Sequence, residues 1–328
     1  MLPPFLGCWP THGPLDKTGA NRGVQYKVPS SLFSFESLKY LKLSNCNISI
    51  PSEFRSFDML TYLHLAGVHF TDNGLQNLLS KYPRLTSLEL IGLFCISFLE
   101  ILAPNLKKLW FSGVFIDLYF DTPSLSKLHF YLIDSVPILK VGAQNRGMPV
   151  LLRSFQRMGN IETLGLCGST LKFILLCTPQ ESLELACSHV KTLRLTLNYE
   201  DRRETVALLH LLRDCPLLQY LEIMTESHQA TAMVSIGSYW ETMDYPDYTF
   251  GRLRDMRMTA FSATVPELEL MRYILANSTM LETLTLEPTE EIPEHLEVLK
   301  EMLMFQRASK YAAIVWVDPQ GTVADAVV

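Results

Sequence analysis

The pattern L-x-x-L-x-L, with its third apolar position filled in places by Phe, Ile or Met, recurs ten times along the chain, and no other feature constrains the fold as tightly. The clearest copy is LKYLKLSNC, from Leu38 to Cys46. Others begin at Leu60, Leu85, Leu106, Leu125, Ile161, Val190, Leu218, Leu253 and Leu281. Early copies recur every ~19 to 25 residues and later ones every ~28 to 36, bracketing the roughly 20 to 29 of a leucine-rich repeat. In a strand, successive side chains alternate faces, so the second and third leucines of each copy point inward together while their neighbours point outward. One such strand cannot bury its apolar face. Stacking the copies in parallel makes a continuous core in which each unit is stabilised by its neighbours.

The expected fold is therefore an α/β leucine-rich-repeat solenoid, a parallel strand ladder with helices and loops on its convex side. Helices are predicted where apolar residues fall at helical spacing between copies. These are NGLQNLLSKY, capped by Thr71 or Asp72; DRRETVALLHLLRD, ending before Pro216; and ELELMRYILAN, following Pro266. Two stretches break the rhythm: the turn-rich GAQNRGMP from Gly142 to Pro149, and an acidic, aromatic insert between Glu226 and Gly251 that contains Trp240.

Composition narrows the function. With 48% hydrophobic and 19% charged residues the chain has enough apolar surface for a sizeable core. A net charge of -6 argues against a nucleic-acid partner, which would need a clustered excess of Lys and Arg. The seven cysteines lack metal-site spacing and read as reduced, partly buried thiols. The first residues, MLPPFLGCWPTHGPLDKTGANRG, carry neither the basic region nor the apolar run of a secretory signal. No later stretch reaches the roughly 18 apolar residues of a membrane span. The expectation is a cytoplasmic or nuclear protein with no membrane contact.

No phosphate-binding loop, dinucleotide fingerprint or zinc-protease motif is present, so no cofactor, no metal and no enzymatic activity are expected. GLCGS, at Gly165, comes nearest to a nucleophile turn, but its Cys167 is read as lying inside a repeat strand. Cys187 and His189 are read as packing residues.

The outward positions of the strands line the concave face on which solenoids hold partners. Those singled out as partner-binding are Tyr40, Lys42, Tyr62, His64, Glu89, Trp110, His129, Tyr131 and Arg194. Trp110, with His64, His129 and Tyr131 expected around it, is the leading candidate, because Trp, Tyr and Arg dominate binding hot spots. Aromatic residues also suit strands for packing alone.

The run YKVPSSLFSFESLKYLKLSNCNI followed by LTYLHLAGVHFTDNGLQNLLSKYPRLTSLEL resembles the repeat region of plant F-box/FBD/leucine-rich-repeat proteins. The stretch from Phe250 to Pro319, with FGRLRDMRM, ELELMRYILANSTMLETLTLEP and EMLMFQRASKYAAIVWVDP, is similar to the FBD region that closes such proteins. The resemblance implies an irregular segment over 1–30, repeats over 31–249, an FBD-like α/β cap over 250–319 and a tail over 320–328. It also implies the target-recognition part of an SCF-type ubiquitin ligase receptor. No F-box is recognised in the sequence, so the Skp adaptor and cullin are expected as partners only of a longer form that carries one. The alternative reading is a leucine-rich-repeat receptor for a small metabolite or hormone.

Overall fold

The computed structural model describes residues 26–70, 74–79, 82–133, 160–177, 187–199, 201–226, 248–288, 292, 295–318 and 323–327. The strands, in chain order, begin with β1 (Tyr26–Lys27), β2 (Tyr40–Ser44), β3 (Cys46–Ile48), β4 (Tyr62–Ala66), β5 (His69–Phe70), β6 (Ser87–Leu102), β7 (Lys108–Asp121) and β8 (Lys127–Leu132). They continue with β9 (Thr163–Cys167), β10 (Thr192–Leu197), β11 (Tyr220–Thr225), β12 (Asp255–Thr259), β13 (Thr283–Glu287), β14 (Ala313–Val317) and β15 (Val323–Val327). The helices among the described residues are α1 (Gly74–Leu79), α2 (Gly168–Cys177), α3 (Arg202–Arg213), α4 (Val265–Asn277) and α5 (His295–Leu303).

All ten motif copies form strands of one twelve-stranded sheet, in sequence order from β2 through β4 and β6 to β15, with a small three-stranded sheet β1-β3-β5 beside it. Pairing from β2 to β14 is parallel. Ala313–Val317 adds an eleventh parallel strand without a leucine motif. Val323–Val327, read from the sequence as part of a tail, pairs antiparallel with it and closes that edge. The sheet runs without a break from the repeat region into β12, β13 and β14, so the residues expected to form a C-terminal cap extend the same ladder.

Burial follows the motif. The inward pairs Leu63 and Leu65, Leu88 and Leu90, Leu193 and Leu195, and Leu284 and Leu286 are all buried. Each such side chain contributes about 1.5–3 kcal/mol on leaving water. In the first copy Leu38 and Leu43 are only partly buried, as befits a unit with a neighbour on one side.

A second regularity joins the copies. The carbonyl of Lys39 accepts from the backbone N–H groups of both Thr61 (2.9 Å) and Tyr62 (3.2 Å), the first of nine such shared acceptors that end with Arg254. The hydroxyls of Thr61, Thr86 and Ser126 donate to the same carbonyls. Directly after β2, β4 and β12 the chain turns through left-handed backbone at Asn45 (φ 51°), Gly67 (φ 56°) and Ala260 (φ 53°), and Gly92 (φ 61°) adopts it at a register break inside β6.

Helices α3 and α4 occupy the segments the periodicity predicts, and Asp201 caps α3 by accepting from the Arg203 N–H. The expected caps Thr71 and Asp72, the stretch from Gly142 to Pro149 and the insert around Trp240 lie outside the described residues. Helix α2 departs from the sequence reading. It starts directly after β9, so Cys167 stands at a strand-to-helix junction and not in a strand interior. Gly168 opens this helix, where the Glu204 carboxylate fills the space that a side chain would need. Glu204 is itself held by Lys172 at 2.9 Å.

Candidate functional site

Because the strands are in parallel register, the outward residues form continuous rows. The middle row runs Lys42, His64, Glu89, Trp110, His129, Gly165, Arg194, Glu222 and Arg257, one residue per strand. All but Tyr40, Tyr62 and Tyr131 of the predicted partner-binding residues stand on it. Tyr40 and Tyr62 are neighbours on the preceding row, and Tyr131 follows His129 on the next.

Trp110 and His129 stack with ring centroids 4.8 Å apart and planes 22° apart, and Tyr131 lies 6.0 Å from Trp110. The His129 Nδ1 and the Tyr131 hydroxyl are 3.4 Å apart. The two rings lean over Gly165, where an added Cβ would come within 2.9 Å of the Tyr131 hydroxyl and closer still to the His129 ring. Gly165 thus makes room for the stack, a role the sequence reading missed. The signal was available, since Gly interrupts a row otherwise made of large side chains.

His64 does not join this stack. It stands two strands away, its Nδ1 2.7 Å from Glu89 Oε2, because the nearest outward residue in register on β6 is a carboxylate that it can bond. Exposure also differs from expectation. His64 and Tyr131 are buried at 8% and 7%, since their rings lie against neighbouring side chains of the face. Tyr40 (72%), Lys42 and Arg194 are open to solvent, while Tyr62, Glu89, Trp110 and His129 are half-buried.

Burial, aided by the nearby positive charges of Arg194 and Lys127, lowers the His129 pKa from 6.5 to about 4. The imidazole is therefore neutral at physiological pH. Burial with Glu89 nearby pushes the Tyr62 hydroxyl up to about 12, and burial likewise raises Tyr131. These aromatic groups are uncharged contact surface.

Farther along the row the charges are matched. Arg194 Nε lies 3.1 Å from Glu222 Oε2, to which the Tyr220 hydroxyl also donates, and Arg257 reaches Glu287 at 2.7 Å. Tyr220, Glu222 and Arg257 belong to the same face and extend it beyond the residues singled out from sequence.

Cys167 donates to the Leu132 carbonyl at 3.3 Å, and burial raises its pKa. A nucleophilic thiolate requires the opposite shift. His189 bonds Ser188 at 3.1 Å, whereas Cys187 sits against Cys215 and that contact, with burial, raises the Cys215 thiol. Among the described residues no group of three or more His, Cys, Asp or Glu is disposed to hold a metal, and no helix is long and apolar enough to cross a membrane.

A face of this kind, broad, regular and lined by aromatic and charged side chains, suits contact with another protein. Over residues 16–310 the chain matches the family described as the LRR domain of At1g61320/AtMIF1. It is 26% identical over 305 residues to the F-box/FBD/LRR-repeat protein At1g13570 of Arabidopsis thaliana, an alignment covering 90% of this chain and 71% of that protein. Since that match spans residues 16–310, most of the chain and all ten motif copies, the chain belongs to the At1g61320/AtMIF1-type leucine-rich-repeat domains.

Proposed function

We propose that this chain is a non-enzymatic protein-binding scaffold whose open sheet face holds a protein target. We further propose that it acts in the cytoplasm or nucleus as the target-recognition part of an SCF-type ubiquitin ligase receptor. The observation that carries the reading is the stack of Trp110 on His129 in the middle of an uninterrupted outward row. A large, rigid, uncharged aromatic surface on a preformed scaffold loses little entropy on binding, which is why such residues anchor interfaces. The ligase role draws on the similarity to the Arabidopsis F-box/FBD/LRR-repeat protein and on the FBD-like residues from Phe250 to Pro319. Docking to the Skp adaptor and cullin belongs to a form carrying an F-box.

The test is affinity capture from plant extract with the full chain and with Trp110→Ala, both checked by circular dichroism. Proteins held by the wild type should be retained at least about tenfold less well by the variant, the loss of a hot spot of ~1.4 kcal/mol or more. Undiminished capture by a folded variant removes the open face as the binding surface. A chain fused to a family F-box should capture Skp and cullin together with those same proteins. Skp and cullin recovered without them would refute the receptor reading.

A further inference from the structure

The open face carries its charges unevenly. On β10 to β13 the arginines are matched, Arg194 by Glu222 and Arg257 by Glu287. On β2 to β8 the outward rows hold three exposed lysines, Lys42, Lys108 and Lys127, and among the described residues none of them has an ion-pair partner. The carboxylate these rows contain, Glu89, is already engaged by His64.

Two of the lysines stand directly opposite each other, since Lys108 pairs with Lys127 in the register of β7 and β8. Neighbouring strands are only about 4.8 Å apart, and like charges opposed across them destabilise a sheet. Two residues farther along the same strands stand Trp110 and His129, stacked on each other. The face thus presents two opposed cations, neither within ion-pair distance of a carboxylate among the described residues although Glu162 feels the charge of Lys127, beside an aromatic platform.

We propose that this block is the docking point for an acidic segment of a protein partner, with Asp or Glu side chains set between Lys108 and Lys127 and an aromatic or aliphatic side chain against Trp110. The inference rests on the open face being the partner-binding surface and adds what that partner must present. An anion placed there removes the repulsion between the two lysines, so association gains where the free protein is strained. The neutral state of His129 keeps the platform apolar beside that anion. A nucleic acid is the poorer fit. Its continuous phosphate backbone would have to run on past Glu89, on β6, and Glu162, just before β9, whereas a short acidic segment need reach only the two lysines.

A displayed library of random peptides, panned against the full chain, tests this. The enriched peptides should combine Asp or Glu with one large apolar residue. Their affinity should fall by at least about tenfold in Lys108→Glu/Lys127→Glu and by less in Lys108→Gln/Lys127→Gln, with salt weakening the wild-type complex. The glutamine variant should melt at or above the wild-type temperature, because the opposed charges are gone, whereas the glutamate variant still sets like charges opposite each other and should show no such gain. The glutamine variant carries the test if charge reversal prevents folding. Peptides that lack acidic residues yet depend on Trp110 would overturn the charge assignment and leave the face intact. Peptides indifferent to both Trp110 and the lysines, or no enrichment at all, would overturn both. A single-stranded oligonucleotide binding more tightly than the best peptide would replace the acidic segment with a phosphate backbone.

Discussion

Asn45, Gly67, Gly92 and Ala260 stand at the same offset from the first apolar residue of their copies, Leu38, Leu60, Leu85 and Leu253, and all four adopt positive φ. Left-handed backbone is open to Gly, tolerated by Asn and strained for other residues by roughly 1–2 kcal/mol. The turns that follow β2, β4 and β12, and the register break inside β6, set this requirement. Close packing adds to it at Gly67, where a Cβ would come 2.7 Å from Asn45 Oδ1. Ala260 is the member of the series that carries strain. Ala260→Gly should therefore stabilise the chain by about 0.5–1 kcal/mol, the relief of strain less the added freedom of the unfolded glycine. Urea unfolding checks it, and a midpoint equal to or below wild type would show that the strain is not there. This positional rule was legible in the sequence, because LSN, LAG and LIG end three successive motifs, yet leucine spacing alone does not reveal it.

At the scale of elements, strands were more legible than helices, and the reason is geometric. A strand here is a short repeated string whose inward residues are always apolar, whereas a helix is defined by what it packs on. The helix α2, GSTLKFILLC, lacks a clear polar face, so its sequence reads as well for a buried strand as for a helix. Helix α4 was legible from the apolar spacing of ELELMRYILAN after Pro266, and Thr264 and Glu267 fix where it starts. The Glu267 carboxylate accepts from the Thr264 N–H at 2.8 Å and its hydroxyl at 2.9 Å, and the Thr225 hydroxyl donates to it from β11 at 2.6 Å. Fully buried, this carboxylate has a pKa raised above 4.5 by the loss of water. The folded state thus holds that proton more tightly than the unfolded chain does. Its contribution is fully present below pH 4.5 and is lost as pH rises through the folded value. Glu267→Gln keeps an acceptor for the Thr264 N–H without the charge, so its stability relative to wild type should improve as pH rises from 4.5 through the folded value and then level off. Melting curves across the range check this, and a difference independent of pH would mean that the carboxylate holds its proton no more tightly in the folded chain than in the unfolded one.

For the whole molecule, stability is distributed along one axis. A repeat gains from each neighbour it touches, so truncations should differ by position even where the residue removed is the same. Leu195, on β10 between β9 and β11, has a strand on both sides, while Leu41, on β2, has one. Leu195→Ala should cost about 2–5 kcal/mol and exceed Leu41→Ala by at least ~1 kcal/mol. Equal losses in chemical unfolding would point to a single cooperative core in place of neighbour-by-neighbour support. The middle of the face could be listed from the sequence, as Trp110, His129 and Arg194 were. Their lateral partners could not, because alternation says which way a side chain points and not how far it reaches. His64 turned to Glu89 and not toward Trp110 for that reason.

The shared carbonyl that joins each copy to the next, first seen at Lys39, separates two kinds of evolutionary change. His64 and Glu89 touch across 25 positions of sequence, and Arg257 and Glu287 across 30. What aligns them is the repeated hydrogen-bonded step at the start of each strand and not the amount of chain between. A segment between copies can therefore lengthen or shorten with every outward side chain keeping its address on the face. Outward residues can change by point substitution and connections by insertion, without either displacing the other.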